Sequence, residues 1–139
     1  MVTGLTTLWA SEEGTAHMRV VVVGSAGRMG SAVCEAVAAD NDLNLVAAVD
    51  PTCSGEKDPT DSLVVLDSLE HVDPAYVDVA VDFTVAEAAR LNIQWCANNG
   101  VHAVVGTSGL GESDTASFRS AFTSSNCLIA PNFAIGAVL

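Results

Sequence analysis

Three glycines at positions 24, 27 and 30 follow directly on the apolar, β-branched run Val20-Val-Val-Val23. Val20 to Val23 reads as a buried strand bounded by Gly24. Met29 to Ala39 reads as a helix, with Met29, Val33, Ala36 and Val37 at helical spacing and Asp40-Asn-Asp42 as its end. Strand, glycine turn and helix in this order open a β-α-β unit. Gly24 permits the tight turn out of the strand. A position without a side chain lets backbone N–H groups approach an anion, and Gly30 lets the helix pack on the strand. The pattern is G-x-x-G-x-x-G, not G-x-G-x-x-G, and the physical tasks are the same.

The alternation continues along the chain. Leu43 to Val49 predicts a second strand ending at Asp50, and Pro51 to Asp61 a polar loop with two prolines. Leu63 to Leu66 predicts a short third strand, and Val77 to Phe83 a strand ending in Asp82-Phe-Thr84. Thr84, with Glu87 three residues on, has the pattern of a capping box for a helix that runs to Asn99 and stops at Gly100. His102 to Val105 predicts a strand ending in Gly106-Thr-Ser-Gly109, and Ser113 to Thr123 a helix. Cys127 to Ala130 predicts a last strand ending in Pro131-Asn-Phe133. The expected fold is α/β, a Rossmann-like doubly wound parallel sheet with helices on both faces. Residues 18–139 are expected to form this domain, truncated at its C-terminal end, and residues 1–17, without apolar period, a flexible extension; Met18 is an alternative start.

Composition narrows the function. Half the residues are apolar but only 5% aromatic, which suits close packing of Val and Ala around parallel strands. The net charge is −12, and the cations are Arg19, Arg28, Lys57, Arg90 and Arg119. Such a field repels a phosphate backbone, so no nucleic acid is expected as a partner. No apolar run reaches the ~20 residues of a membrane span, and no signal-peptide pattern opens the chain. Cys34, Cys53, Cys96 and Cys127 lack zinc-knuckle spacing and read as free thiols of a reducing cytosol. No metal site and no catalytic constellation is visible. His71 sits in a polar linker, and His102 at a strand start reads as structural.

The chemistry-bearing residues fall at strand carboxyl ends, where sheets of this class bind ligands. Gly24, Ser25, Ala26, Gly27, Arg28, Met29 and Gly30 form the pyrophosphate loop, with the helix N-terminus favouring the anion. Asp50, about twenty residues on, is placed to accept both hydroxyls of an adenine ribose; a capping aspartate beside Pro51 is the other reading. Arg28 stands inside the loop, available to the pyrophosphate or to a 2′-phosphate, or simply solvated. Gly106, Thr107 and Ser108 offer small residues and hydroxyls to a ring or ribose. Pro131, Asn132 and Phe133, after Ala130, offer an amide and an aromatic face.

Four segments together resemble 4-hydroxy-tetrahydrodipicolinate reductases (dihydrodipicolinate reductases). They are Gly24-Ser-Ala-Gly-Arg-Met-Gly30, Asp82-Phe-Thr84, Val105-Gly-Thr-Ser-Gly109 and Ala130-Pro-Asn-Phe-Ala-Ile-Gly136. Ser108 and Ala134 depart from the threonine and serine common there. The resemblance covers about 120 residues. It implies a reductase of lysine and diaminopimelate biosynthesis, cytoplasmic and homotetrameric, using NADH or NADPH on a small dicarboxylate. It places Gly24 to Met29 at the pyrophosphate, Asp50 at the adenosine ribose, and Gly106 to Ser108 with Ala130 to Phe133 at the nicotinamide. It also implies a second, substrate domain beyond Leu139, carrying paired histidines, a lysine and a Pro-Ser-Gly-Thr segment. On that expectation the chain is a cofactor-binding half, inactive alone. A stand-alone dinucleotide-binding or redox-sensing module, or a fragment with no function of its own, is the alternative.

Overall fold

Four consecutive valines can be buried only where a strand is covered on both faces. The structure, a computed structural model, describes residues 17–130 and has that arrangement. Strands β1 (Met18–Val23), β2 (Leu43–Val49), β3 (Val79–Asp82), β4 (His102–Val105) and β5 (Cys127–Ile129) form one sheet in the order β2-β1-β3-β4-β5. Every pairing is parallel. Helices α1 (Arg28–Ala39), α2 (Ala86–Asn99) and α3 (Glu112–Ala121) supply the crossovers.

The two faces divide the valines of β1. Val20 and Val22 pack with Cys34 and Val37 of α1. Val21 and Val23 pack with Ala89, Ile93 and Cys96 of α2 and with Phe118 of α3. The sheet is therefore wound on both sides, and strand order reverses between β1 and β3. On α1 the buried stripe is Gly30, Cys34 and Val37. Ala36, expected inside, is exposed. The face turned to the sheet is rotated because Gly30 makes the closest approach.

Register sets the site. Val23 is level with Val49 and with Asp82, Asp82 with Val105, and Val105 with Ile129. The next residues, Gly24, Asp50, Phe83, Gly106 and Ala130, therefore leave the sheet along one rim.

Several boundaries differ from the sequence expectation. Leu63 to Leu66 is not a strand: Leu66 makes one parallel bridge to Val49 and Val64 one antiparallel bridge to Lys57. The Asp58 carboxylate accepts the N–H groups of Thr60, Ser62 and Leu63 and so curls the chain into a loop up to the start of this segment. Thr84 does not cap α2. The N-cap is Val85, without a side-chain bond, because the Thr84 hydroxyl is given to Asp82 at 2.6 Å. β3 stops at Asp82, and α3 starts and ends earlier than expected. Helix α2 does end at Gly100, in the left-handed region at φ 68°, with its N–H on Cys96 O. Residues 1–16 and 131–139, including Pro131, Asn132 and Phe133, lie outside the described residues.

Candidate dinucleotide-binding site

The turn after β1 is built by backbone constraints. Gly24 has φ +87°, and a Cβ there would meet the Phe83 carbonyl oxygen at 3.0 Å. A Cβ on Gly30 would overlap the Gly24 carbonyl. Both positions are closed to any side chain by the protein itself. Gly27 is different: a Cβ there meets only Gly24 O, at an ordinary 3.6 Å. The fold itself leaves room for a side chain at Gly27, the N-cap of the following helix, where glycine is also among the preferred residues.

Helix α1 begins at this turn with Gly27 as N-cap and no side-chain cap. The N–H groups of its first turn have no acceptor within the helix, and they carry the positive end of its dipole. Ser25 is fully buried, and its hydroxyl has no hydrogen-bond partner among the described residues. Arg28 is exposed and makes no ion pair with a described residue.

Asp50 faces this turn from the end of β2. Its Oδ1 accepts the Thr52 N–H at 3.0 Å and the Thr52 hydroxyl at 2.7 Å. Its Oδ2 accepts the Ala26 N–H at 2.9 Å. Burial alone would raise its pKa, but the Thr52 hydroxyl and the N–H groups of Ala26 and Thr52 outweigh that and hold it below the ordinary value. Asp50 caps the turn Pro51–Cys53, and it also lines a cleft. A carboxylate has about four acceptor positions, and three are taken. One remains for a hydroxyl, where the sequence reading assigned two.

A cleft of about 430 Å³ runs between these elements, lined by Gly24, Gly27, Asp50 and Thr52 on one side and Phe83, Thr84, Val85 and Asn92 on the other. It straddles the β1–β3 reversal, the place where open parallel sheets bind ligands. A second cleft of about 490 Å³, between α3 and the edge strand β5, contains none of the glycine-loop residues. At the other side of the rim, Gly106 N–H donates to Asp82 O, and Ala130 N–H to Val105 O, each at 2.8 Å. Thr107 is buried, with its hydroxyl on Asp82, and Ser108 is exposed.

Residues 18–133 match the family described as "Dihydrodipicolinate reductase, N-terminus". The chain belongs to that family. Curated relatives named 4-hydroxy-tetrahydrodipicolinate reductase include those of Cutibacterium acnes, 38% identical over 125 residues, and Corynebacterium efficiens, 42% identical over 125 residues. Those alignments cover 88% of this chain but 44% and 45% of the relatives. The chain therefore spans under half the length of the curated relatives it matches. Among solved structures, a dipicolinate-bound dihydrodipicolinate reductase from Paenisporosarcina sp. TG-14 superposes with a TM-score of 0.72 and 27% identity, over 88% of this chain and 50% of that one. GenD2 from gentamicin A biosynthesis, in complex with NAD, shares the fold at a TM-score of 0.69 and 21% identity, over 86% of this chain and 36% of that one.

Within this dihydrodipicolinate reductase domain, the structure brings Gly24 to Gly30 and Asp50 together around one cleft. It sets Gly106 to Ser108 and Ala130 farther along the same rim. The sequence reading named Asp82 only as part of a rim and a motif, and did not count it among the site residues. Its burial and four donors mark it as more. The available signal was a charged residue ending an otherwise apolar central strand, where a buried carboxylate needs a reason. His102 is structural, as read: its Nδ1 accepts the Asn126 N–H at 3.0 Å. His71 is exposed and pairs with Asp67 at 3.1 Å. All four cysteines are free. No metal-ligating cluster occurs among the described residues, and none of the described helices is long and apolar enough to cross a membrane.

Proposed function

We propose that this chain is the dinucleotide-binding half of a 4-hydroxy-tetrahydrodipicolinate reductase that uses NADH or NADPH. One observation carries the reading: a helix N-terminus without a side-chain cap and the bare backbone of Gly27 line the same cleft as Asp50, a buried carboxylate whose pKa is held below its ordinary value. The fit to a dinucleotide is chemical. The first-turn N–H groups of α1 suit a pyrophosphate. Asp50 keeps one acceptor position for a ribose hydroxyl, and the Thr52 hydroxyl, which donates to Asp50, keeps lone pairs for a second. Arg28 is free to lie along the phosphates. The backbone of Gly106 to Ser108 and of Ala130, continuing into Pro131, Asn132 and Phe133, takes the nicotinamide end.

Bound there, the reduced nicotinamide supplies a hydride. The residues of this chain bind and orient it. The substrate is a small cyclic dicarboxylate, the class to which the dipicolinate of the Paenisporosarcina relative belongs. Gripping two carboxylates takes a cluster of cations, and the described cations do not form one. Arg19 is paired with Asp78 and Arg90 with Asp114, while Arg28 is exposed and makes no ion pair with a described residue. Substrate binding and proton donation therefore belong to the remaining half of the enzyme, with which the protein is a cytoplasmic homotetramer.

The test is an NADH-oxidation assay with freshly generated substrate. It compares this chain with a version extended to the relatives' length. Turnover only in the long version, with NADH bound by both, is the expected result. Failure of both to bind NADH overturns the reading in favour of a fragment with no function of its own.

A further inference from the structure

Asp82 ends the central strand β3 and is 3% exposed. Its carboxylate gathers donors from three separate elements. Oδ1 accepts the Thr84 N–H at 2.8 Å, the Thr84 hydroxyl at 2.6 Å and the Thr107 hydroxyl at 3.3 Å. Oδ2 accepts Asn92 Nδ2 of α2 at 2.9 Å. Its backbone carbonyl takes the Gly106 N–H. No ion pair among the described residues involves it.

A buried carboxylate without a cation is costly and persists only when its lone pairs are filled. Here they are filled by groups on both sides of the rim. Thr84 abuts the glycine loop: a Cβ on Gly24 would lie 3.3 Å from Thr84 Cγ2. Thr107 lies in the Gly106–Ser108 segment. One carboxylate therefore spans from the turn that touches the pyrophosphate loop to the turn at the nicotinamide end. The Thr84 bonds are short, as expected for a charged acceptor, and the longer Thr107 bond at 3.3 Å is reinforced by the Gly106 N–H on the Asp82 carbonyl at 2.8 Å.

We propose that Asp82 is a positioning residue that holds the Gly106–Ser108 turn at a fixed separation from the glycine loop, so that the two ends of one dinucleotide are gripped in register. The inference rests on the reading of Gly106 to Ser108 as the nicotinamide segment. Asp82 acts through Thr84 and Thr107, and its own carboxylate is occupied.

The experiment compares NADH with ADP-ribose, which has the adenosine, pyrophosphate and second ribose but no nicotinamide. Both are titrated calorimetrically into the 139-residue chain, unsubstituted and as Asp82→Ala and Thr107→Val. Asp82→Ala should lose about tenfold in NADH affinity, the scale of a hydrogen bond to a charged group, and less than about twofold in ADP-ribose affinity. Thr107→Val, which removes one hydroxyl at constant shape, should lose about threefold for NADH alone. The fluorescence anisotropy of bound NADH should fall in both variants as its nicotinamide gains freedom. If Asp82→Ala does not fold, Thr107→Val decides. Equal weakening of both ligands, or no weakening of either, overturns the positioning role. NADH binding no tighter than ADP-ribose in the unsubstituted chain overturns the nicotinamide reading itself, and the inference with it.

Discussion

The Asp50 carboxylate accepts the Ala26 N–H at 2.9 Å, which ties the end of β2 to the turn that follows β1. The carboxylate that ends β2 and the glycine turn that follows β1 are thus one hydrogen-bonded unit. Removing the acid disturbs both.

Asp50→Ala should weaken NADH binding about tenfold, from loss of the ribose acceptor and of the loop's anchor. NADPH should weaken less, because the negative charge facing its 2′-phosphate is gone. NADH should bind the unsubstituted chain at least as well as NADPH. Thr52→Val, which leaves the charge in place, should weaken both cofactors by a similar factor. Calorimetric titrations of the three proteins with each cofactor check this. A strong NADPH preference in the unsubstituted chain would contradict the assignment of Asp50.

The glycines of the loop should separate folding from binding. Gly30→Ala forces a Cβ into the Gly24 carbonyl and should destabilise the chain by several kcal/mol, of order 3 or more. Gly27→Ala meets nothing closer than 3.6 Å and should unfold within about 0.5 kcal/mol of the parent. Gly27→Val should nevertheless abolish NADH binding, because its side chain stands where the backbone meets the pyrophosphate. Denaturant unfolding and calorimetry on the same samples give both readings. Unchanged NADH affinity in Gly27→Val would sink the loop's assignment.

Acid should expose the role of the Asp58 loop. Burial alone would raise the Asp58 pKa, but the Thr60 hydroxyl and the N–H groups of Leu63, Thr60 and Ser62 lower it from 3.8 to about 2. A carboxylate depressed on folding stabilises fully above its unfolded pKa, and that stabilisation is lost as pH falls through the folded value. Asp58→Ala should therefore cost roughly 2 kcal/mol at neutral pH. The gap between parent and variant should close as the pH drops from about 4 to about 2. Urea unfolding across that range is the measurement, and a gap independent of pH would contradict it.

Thiol labelling should divide the cysteines. Burial, with Asp58 and Glu35 adding to it, pushes the Cys34 thiol up to about 11. Burial and the nearby Asp82 charge push Cys96 up to about 12. Neither forms appreciable thiolate at pH 8. Cys53 and Cys127 are only partly buried. Iodoacetamide followed by mass spectrometry should find Cys53 and Cys127 modified in the folded chain, and Cys34 and Cys96 only after denaturation. Early labelling of Cys96 would mean that α2 opens away from the sheet.

The elements with strong local signals were legible in the chain itself. A β-branched run closed by Gly24, the same kind of run before Asp50, and Gly100 after a helical period identify strands and a helix stop because backbone sterics act over a few residues. The glycine loop was legible for the same reason, as was its likeness to dihydrodipicolinate reductases, carried by short contiguous motifs. Segments whose fate hangs on distant partners were not. Thr84 has the spacing of a cap, yet its hydroxyl goes to Asp82, which competes for it from two residues away and wins with a charge. Leu63 to Leu66 has the composition of a strand, yet the Asp58 carboxylate takes the Leu63 N–H together with those of Thr60 and Ser62 just before it, and only single bridges form beyond.

Sequence by itself determined the β-α-β order, the parallel doubly wound sheet and the residues that leave each strand at its carboxyl end. Tertiary structure alone decided how those ends are joined. That Asp50 spends an oxygen on Ala26, and that Asp82 reaches Thr107, follows from strand register. Register places Val23 level with both Val49 and Asp82, and Asp82 level with Val105. The chain separations involved, 24 residues for Asp50 to Ala26 and 25 for Asp82 to Thr107, are bridged only once the sheet has closed. A hydrogen bond between groups that far apart has no local signature, because its geometry belongs to the packing of the sheet and not to either segment.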